Sequence, residues 1–372
     1  MIRVGIIGCG KIADAHDEQL IRISDCEIVG VCDREELMAK QLYERFPIKN
    51  YFSDVNAFLE TAEPDVVHIT TPPQSHFDLG RKCLESGCHV YIEKPFTVTA
   101  SEAEELIAIA IANNKKVTVG HDDQFTHAAR KTRELLRAGY LGGPPVHMES
   151  YYCYDLGDAH YASAVLGDRN HWVRQLPGKL FQNNISHGIC RIAEYMTVES
   201  PKVVAIGFAS PLLTRMNELD IVDELRVIMS DGESMTAYFT FSSQMRPVLK
   251  HFRIYGRENG LEMNHDQQTV IKVRGDKYKS YLEKIVPASN YARQYWGNAV
   301  GNINSFLRMD FHMKSGMKFL IESFYRSILD GGELPISYRE ILLTARIIDS
   351  IATQVNAQLQ SRSISLLPNS KA

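Results

Sequence analysis

Hydrophobic and polar positions along the first 120 residues follow two alternating patterns. Short apolar runs rich in β-branched residues predict strands at 2–7, 27–33, 65–71, 89–94 and 116–120. Amphipathic stretches between them predict helices over 34–46 and 75–86, a short helix capped by Ser53, and a helix that begins at a Thr99–Glu102 capping box. This alternation predicts an α/β domain with a parallel, doubly wound sheet, whose ligands bind outside the carboxyl ends of the strands.

The pattern changes after about residue 122. Strand-like runs now follow one another, and Asp231-Gly232 and Glu258-Asn259-Gly260 indicate turns between some of them. The predicted strands are 146–152, 203–208, 224–229, 236–241, 249–255 and 269–273, and the predicted helices are 127–138, 317–330 and 339–358. We therefore expect residues 1–122 to form a Rossmann dinucleotide-binding domain. Residues 123–372 are expected to form an α+β domain with a large open, mainly antiparallel sheet, with the C-terminal helix packing back on the first domain.

Length, charge and cysteine content fit an enzyme of the cytoplasm. A chain of 372 residues is long enough for two domains, each with its own core. The net charge of −4 gives no reason to expect nucleic acid or a membrane as partner. No apolar run is long enough to cross a bilayer, and the chain does not begin with a secretory signal. Seven cysteines without a C-x-x-C pair favour a reducing compartment.

The first strand leads into the turn Gly8-Cys9-Gly10-Lys11-Ile12-Ala13. In a strand–turn–helix context this is the pattern of a dinucleotide-binding site, where the glycines let the backbone approach a pyrophosphate and a small residue permits close helix packing. Asp33 ends the next strand at the distance expected for a ribose-binding carboxylate, which favours NAD over NADP. The neighbouring Arg34 argues the other way, because a guanidinium there could hold a 2′-phosphate. Capping of the next helix is the alternative role for Asp33.

Two further motifs end predicted strands of the same sheet, Thr71-Pro72-Pro-Gln-Ser-His76 and Glu93-Lys94-Pro95. Together with the glycine turn and His16, they make the chain resemble the glucose-fructose oxidoreductase / inositol dehydrogenase / rhizopine catabolism (Gfo/Idh/MocA) family. The resemblance extends over nearly the whole chain, through Gly120-His121, His171-Trp172, Asn183–His187 and the segment 324–331. It implies a two-domain dehydrogenase that acts on a sugar, a cyclitol or a nucleotide-linked sugar.

The resemblance also implies roles for individual residues. Thr71, Pro72, His76, Glu93 and Pro95 would shape the cofactor pocket, although packing alone is an equally good explanation for His76. Lys94, at a strand end, would hold a substrate hydroxyl in line for hydride transfer and share its proton. His187 would be the acid/base, because imidazole titrates near neutral pH.

Asn183 departs from the family pattern, in which an aspartate precedes the histidine by four residues. Residues four apart share a helix face, so Asn183 and His187 would point into the same cleft. An amide in place of a carboxylate should weaken the base by about one pKa unit or more. Three explanations remain open: Lys94 carries the proton transfer, another acid (Asp122, Asp123, Asp155 or Asp158) supplies the charge, or redox activity is reduced or absent. Gln124 is a second departure, since the family often has an arginine near it.

Candidate substrate contacts are concentrated in residues 151–179, where aromatic, histidine and basic side chains alternate. Aromatic faces suit sugar rings, and arginines suit phosphate or carboxylate groups. A surface loop with packed aromatic residues is the alternative. The favoured substrate contacts are His121, Tyr152, His171, Trp172, Arg174 and His187. No metal-ligand spacing occurs, so no metal is expected.

The sequence thus predicts an NAD-dependent oxidoreductase acting on a sugar-like hydroxyl or ketone. One alternative is a tightly bound NAD used in internally recycled redox chemistry, such as epimerisation or elimination. The other is a sensor of NAD or sugar that has lost catalysis, a possibility that Asn183 keeps open. An open sheet exposes one face, which predicts a homodimer or homotetramer through the second domain.

Overall fold

The computed structural model describes residues 1–156, 166–275, 277–312 and 314–365. These residues form two compact units, which are described separately. The N-terminal unit comprises residues 1–125 and 314–345, and the second unit comprises the described residues of 126–312 and 346–365.

The N-terminal unit is built on a parallel six-stranded sheet, as expected from the sequence. Its strands lie in the order β3-β2-β1-β4-β5-β6, so the strand order reverses between β1 and β4. Such a reversal opens a crevice at the carboxyl ends of the central strands. The strands are β1 Ile2–Ile7, β2 Cys26–Cys32, β3 Tyr51–Phe52, β4 Val66–Ile69, β5 His89–Ile92 and β6 Val117–Val119. Only β3 was not predicted, because two residues carry no periodic signal.

Helices connect these strands: α1 Lys11–Leu20, α2 Glu36–Arg45, α3 Val55–Ala62, α4 His76–Glu85 and α5 Ala100–Ala112. The capping box at the start of α5 is confirmed, with Thr99 accepting from the Glu102 amide and Glu102 from the Thr99 amide. The predicted cap of α3 was wrong. Asp54 rather than Ser53 caps it, because the Asp54 carboxylate accepts the Ala57 N–H at 2.8 Å.

A distant part of the chain completes the core of this unit. Helix α10 (Ser315–Leu329) and the first turns of α11 (Tyr338–Ser365) belong to it. Met317, Leu320 and Phe324 of α10 are fully or almost fully buried among the apolar residues of the sheet and its helices. Burial of this order stabilises by about 1.5–3 kcal/mol for each such side chain.

The second unit contains a seven-stranded sheet in the order β13-β12-β11-β7-β10-β9-β8. All its pairs are antiparallel except β7 with β10. The strands are β7 His147–Tyr152, β8 Lys202–Phe208, β9 Glu224–Ser230, β10 Thr236–Ser242, β11 Lys250–Tyr255, β12 Asn259–Asn264 and β13 Thr269–Arg274. The mainly antiparallel sheet and the hairpin at Asp231-Gly232 are confirmed. A hairpin also joins β11 to β12, with Glu258 in its turn and Asn259 at the start of β12, a strand that was not predicted.

Four helices lie wholly within the described part of this unit, namely α6 His127–Arg137, α7 Lys179–Tyr195, α8 Pro211–Arg215 and α9 Leu282–Leu307, and residues 346–365 of α11 also belong to it. The 26-residue α9 was not predicted, because its apolar residues lie outward and do not mark a buried stripe. Among the helices described, none combines the length and the apolar character needed to span a bilayer. The seven cysteines all lie in described residues, and all are free thiols.

Candidate functional site

The ladder of the N-terminal sheet brings the predicted motifs to one edge. Ile7 pairs with Ile69, Ile69 with Ile92, and Ile92 with Val119, so four strands end level with one another. The segments that follow these strands begin at Gly8, Thr70, Glu93 and Gly120. The glycine turn, the Thr71-Pro72 segment, Glu93-Lys94-Pro95 and His121 therefore lie side by side at the carboxyl edge.

The glycine turn has the geometry of an anion cradle. Gly8 has φ +99°, and a Cβ there would lie 2.7 Å from Thr71 Cγ2, so the turn requires glycine. A Cβ on Gly10 would meet no protein atom within 4 Å, which leaves space for a ligand against the backbone. Gly10 precedes α1, and no side chain caps the free N–H groups of that helix. Ala13 is fully buried, as close helix–strand packing demands. These residues fit a dinucleotide pyrophosphate, with Cys9, Lys11 and Ile12 completing the turn.

Asp33 joins the end of β2 to this turn. Its Oδ2 accepts the Cys9 amide at 2.7 Å, and its Oδ1 accepts the Glu35 amide at 3.0 Å. Asp33 therefore positions the glycine turn as well as the residues before α2. It is partly exposed, and the Arg34 side chain next to it is 92 % exposed.

His76 joins the two other loops of this edge. Its Nε2 lies 2.8 Å from the Thr71 carbonyl oxygen, and its Nδ1 lies 2.9 Å from the Pro95 carbonyl oxygen. Only an imidazolium donates from both nitrogens, yet burial lowers the pKa of His76. The neutral ring donates one of these bonds at a time. His76 is completely buried, so it supports the Pro72 and Pro95 loops from behind.

Glu93 and Lys94 lie at the centre of the edge. Glu93 is buried, with Oε1 2.9 Å from His16 Nε2 and Oε2 accepting the Lys94 amide at 3.1 Å. Burial by itself would raise the pKa of Glu93, but the hydrogen bonds from His16 and from the Lys94 amide, together with the charge of Lys94, lower it to about 2. Burial lowers the pKa of the Lys94 ammonium, and Glu93 is the strongest opposing influence. An ionised carboxylate and an amine whose pKa burial lowers thus occupy neighbouring positions.

The last strand end adds acidic groups. His121 is buried beside a short 3₁₀ turn that contains Asp122 and Asp123. Burial and then the charge of Asp123 raise the pKa of Asp122 to about 7, and both carboxylates act on Lys94. Asp122 and Asp123 therefore belong to the surroundings of Lys94 within the N-terminal unit. Gln124, the second departure from the family pattern, is buried in the same turn.

The second unit places the predicted Asn183 and His187 on helix α7. Gly188 allows this helix to lie close to the sheet, because a Cβ there would lie 2.3 Å from Phe239 Cε2. The His187 ring consequently stacks on Tyr152 at the end of β7, with centroids 4.9 Å apart and planes 13° apart. Lys250 Nζ lies 5.5 Å from the centre of the Tyr152 ring. Asn183, one turn before His187, is 9 % exposed.

The other predicted substrate residues have structural partners. His171 caps the 3₁₀ turn Trp172–Gln175 by accepting the Val173 amide, and Trp172 packs on a small core around Val173 and Leu180. The Arg174 guanidinium forms a largely buried ion pair with Glu218 at 3.1 Å. Asp155 is paired with Arg246. Asp158, His160 and Tyr161 lie outside the described residues.

Sequence reasoning overlooked the residues behind Glu93. His16 was noted only through the family resemblance, and His68 and Tyr325 were not singled out. A histidine inside the apolar strand Val66–Ile69 was the available signal, because a buried imidazole needs hydrogen-bonding partners.

Comparison with known proteins connects this geometry to a family. A family model described as an oxidoreductase family with an NAD-binding Rossmann fold matches residues 2–121. D-glucoside 3-dehydrogenase of Escherichia coli K12 is 33 % identical over 142 residues, which are 38 % of this chain and 40 % of that protein. Glycosyl hydrolase family 109 protein 2 of Akkermansia muciniphila is 26 % identical over 230 residues, or 58 % of this chain and 47 % of that protein. The matches thus cover less than half of these relatives.

Solved structures resemble the chain over most of its length. The WlbA dehydrogenase of Bordetella pertussis, in complex with NADH and UDP-GlcNAcA, gives a TM-score of 0.75 at 14 % identity, covering 96 % of each chain. At this identity the likeness establishes the fold of both units. The N-terminal unit is an NAD-binding Rossmann fold by sequence as well as by structure.

Proposed function

We propose that this chain, whose residues 2–121 match the model of an oxidoreductase family with an NAD-binding Rossmann fold, is an NAD-dependent dehydrogenase of the Gfo/Idh/MocA family. It transfers a hydride between the nicotinamide and a hydroxyl or ketone of a sugar, cyclitol or nucleotide-linked sugar. One observation carries the proposal: the glycine turn, Asp33 and Glu93-Lys94-Pro95 meet at one edge of the sheet. The sugar specificity of named relatives supports the substrate class.

The N-terminal residues would hold the cofactor in distinct ways. The turn from Gly8 to Ala13 would bind the pyrophosphate, and Asp33 the adenosine ribose, which favours NAD over NADP. Arg34 is too solvated to fix a phosphate by itself. Thr71, Pro72, His76, Glu93, Lys94 and Pro95 would line the nicotinamide side. When bound, the cofactor supplies the hydride acceptor, and the protein supplies orientation and proton handling.

Two side chains are proposed to handle the proton. Lys94 holds the reacting hydroxyl through its Nζ and shares its proton, and burial lowers the pKa of this amine from its ordinary value. His187 accepts the hydroxyl proton, with its ring held flat on Tyr152. Asn183 can orient a substrate or the imidazole by hydrogen bonding, but it adds no negative charge. The proposed contacts with the substrate are His121, Tyr152, His171, Trp172 and Arg174.

The compartment and assembly follow from other features. Seven free thiols support a reducing, cytoplasmic environment.

The sheet of the second unit exposes a row of apolar side chains, Val204, Ile228 and Tyr238, on three adjacent strands. Covering this row with a second copy of the chain is the proposed basis of a homodimer or homotetramer.

A second candidate is favoured by one comparison. The similarity to a protein named as a glycosyl hydrolase covers more of this chain than the match to the glucoside dehydrogenase. Glycoside cleavage with a tightly held NAD would return the hydride within each turnover, without net reduction of the cofactor.

The test begins by denaturing the purified protein and identifying any released nucleotide. Native protein is then mixed with NAD and a panel of glycosides, cyclitols and nucleotide-linked sugars, while reduced-nicotinamide absorbance and sugar products are both followed. Net reduction on one class of sugar supports the dehydrogenase. Product formation without net reduction supports the second candidate. Nucleotide binding without any product over the whole panel would overturn both and leave a sensor.

A further inference from the structure

A buried chain of four polar side chains runs through the N-terminal unit and ends at Glu93. Tyr325 Oη lies 2.8 Å from His68 Nε2, His68 Nδ1 lies 2.8 Å from His16 Nδ1, and His16 Nε2 lies 2.9 Å from Glu93 Oε1. His16 and His68 are completely buried, and Tyr325 is 4 % exposed. His68 and Tyr325 alone are 257 positions apart in sequence.

Hydrogen-bond chemistry assigns one direction to this chain. The Glu93 carboxylate can only accept, so His16 carries a proton on Nε2. The Nδ1 atoms of His16 and His68 lie 2.8 Å apart, so one hydrogen must lie between them. A neutral His16 that carries its proton on Nε2 has none on Nδ1, so its Nδ1 is the acceptor. His68 therefore donates from Nδ1 and accepts at Nε2, where the Tyr325 hydroxyl donates. Every donor in the chain points toward Glu93.

His68 takes up no further proton. Burial and the neighbouring His16 hold the pKa of His68 well below its usual value, so His68 stays neutral. Glu93 receives its hydrogen bond from His16 Nε2, and this hydrogen bond helps to keep the Glu93 carboxylate ionised.

Packing permits only one orientation of these groups. The Tyr91 ring stacks on His68 with centroids 4.7 Å apart, and it meets the edge of His16 at 5.2 Å. On the other side of Glu93, a Cβ on Gly120 would lie 2.9 Å from Oε1, so the glycine leaves room for the carboxylate. The second carboxylate oxygen is held by the Lys94 amide.

The charged groups around Lys94 explain why the orientation of the Glu93 carboxylate matters for the Lys94 amine. After burial, the charges that act on this amine are those of the carboxylates Glu93, Asp122 and Asp123, which raise its pKa, and of the Lys314 ammonium, which lowers it. Glu93 has the strongest influence among them, while Asp122 titrates near neutral pH. Tyr91 also lies near Glu93 and Asp122 but stays un-ionised, because burial raises the pKa of its hydroxyl. Glu93 is therefore the group that controls the Lys94 charge.

We propose that His16 and His68 are positioning residues, which keep the Glu93 carboxylate ionised and aligned so that Glu93 governs the charge of the Lys94 amine. The inference rests on the proposed role of Lys94. It adds to that role the support of hydrogen bonds that run from Tyr325 through His68 and His16 to Glu93. Without His16, a buried Glu93 would take up a proton, and Lys94 would lose its main counter-charge.

The test measures the titration of Lys94 in the free protein, so that it does not depend on turnover. The rate of Lys94 acetylation by acetic anhydride is followed against pH by mass spectrometry. His16→Leu is expected to lower the apparent pKa of Lys94 by about one unit or more, which is a tenfold rise in its neutral fraction. His16→Gln, whose amide can still donate to Glu93, should restore most of the wild-type profile. Tyr325→Phe should give a smaller shift in the same direction as His16→Leu.

Tyr338→Phe is the matched control, because it removes a partly buried hydroxyl that accepts from the Val117 amide and has no part in this set of hydrogen bonds. An equal shift in Tyr338→Phe, or no shift in a folded His16→Leu protein, would overturn the proposal. Should His16→Leu fail to fold, ¹⁵N-histidine NMR of the wild-type protein decides. At pH 8 the proton must lie on Nε2 of His16 and on Nδ1 of His68. The opposite tautomers would refute the proposed chain of hydrogen bonds. If Lys94 titrates as expected but the protein turns over no sugar, the result counts only against the proposed function.

Discussion

The Cys9 amide donates a hydrogen bond to Asp33 Oδ2 over 2.7 Å, which ties the glycine turn to the end of the neighbouring strand. Asp33→Asn keeps the size of the side chain and removes its charge. We expect NAD to bind about 10-fold more weakly and NADP to bind no worse, because a charged hydrogen-bond acceptor contributes about 1.5–3 kcal/mol. Calorimetric titration with both nucleotides measures the two affinities. Arg34→Ala is the control, and an unchanged NAD/NADP ratio in Asp33→Asn would contradict the ribose assignment.

Asp17 is a buried carboxylic acid that destabilises the protein at neutral pH. It is fully buried, and neither carboxylate oxygen has a hydrogen-bond partner among the described residues. Burial, assisted by Asp14, raises the pKa of Asp17 to about 8. Because the folded state then binds one more proton than the unfolded state, stability falls as the pH rises from about 4 to about 8.

We therefore expect Asp17→Asn to raise the free energy of unfolding at pH 7 by about 2–4 kcal/mol and to have little effect at pH 4. Urea unfolding at the two pH values measures this difference. Glu18→Gln, on the exposed side of the same helix, should change stability by less than about 0.5 kcal/mol at either pH. Equal stability of Asp17→Asn and wild type at pH 7 would show that Asp17 is ionised and solvated in the folded protein.

The sequence predicted the parts of the site that depend on local patterns. The strand–turn–helix at Gly8–Ala13, Asp33 at the end of β2, and the Thr99 capping box all follow from residues that are neighbours in sequence. The His16–His68–Tyr325 chain does not, because it joins α1, β4 and α10 across more than 250 positions. The ion pair of Arg174 with Glu218 also joins residues that are not neighbours in sequence. It gives a structural partner to Arg174, which the sequence predicted as a substrate contact. Helix α9 was missed since its outward apolar residues resemble neither a core stripe nor a solvated face.

Asn183→Asp tests the departure from the family pattern. A carboxylate one helical turn before His187 would stabilise the imidazolium. We expect the acidic limb of the pH profile of kcat/KM for sugar oxidation to move upward by about one unit. Asn304→Asp is the control, because it adds the same charge at an exposed position of α9 that is remote in sequence from His187. If both variants retain the wild-type profile, His187 is not the group that titrates in turnover.

Ile228→Glu tests the proposed assembly. Ile228 is 53 % exposed in the middle of the apolar row on the sheet, so a charge there should disfavour burial against a second copy. Light scattering after gel filtration should show an oligomer for the wild type and a monomer for the variant. The melting temperature at low protein concentration should be nearly unchanged. Met216→Glu, an equally exposed apolar position outside the sheet, should leave the oligomer intact. A monomeric wild-type protein at micromolar concentration would refute this assembly.

The role of Lys94 is the central claim, and the rate of cofactor reduction under saturating NAD and the best sugar tests it most directly. For Lys94→Ala we predict a loss of about 10²–10⁴-fold in this rate, with the Kd for NAD within about threefold of wild type. Lys40→Ala, a surface lysine on α2, should match the wild type in both quantities. An undiminished rate of cofactor reduction in Lys94→Ala would contradict the account.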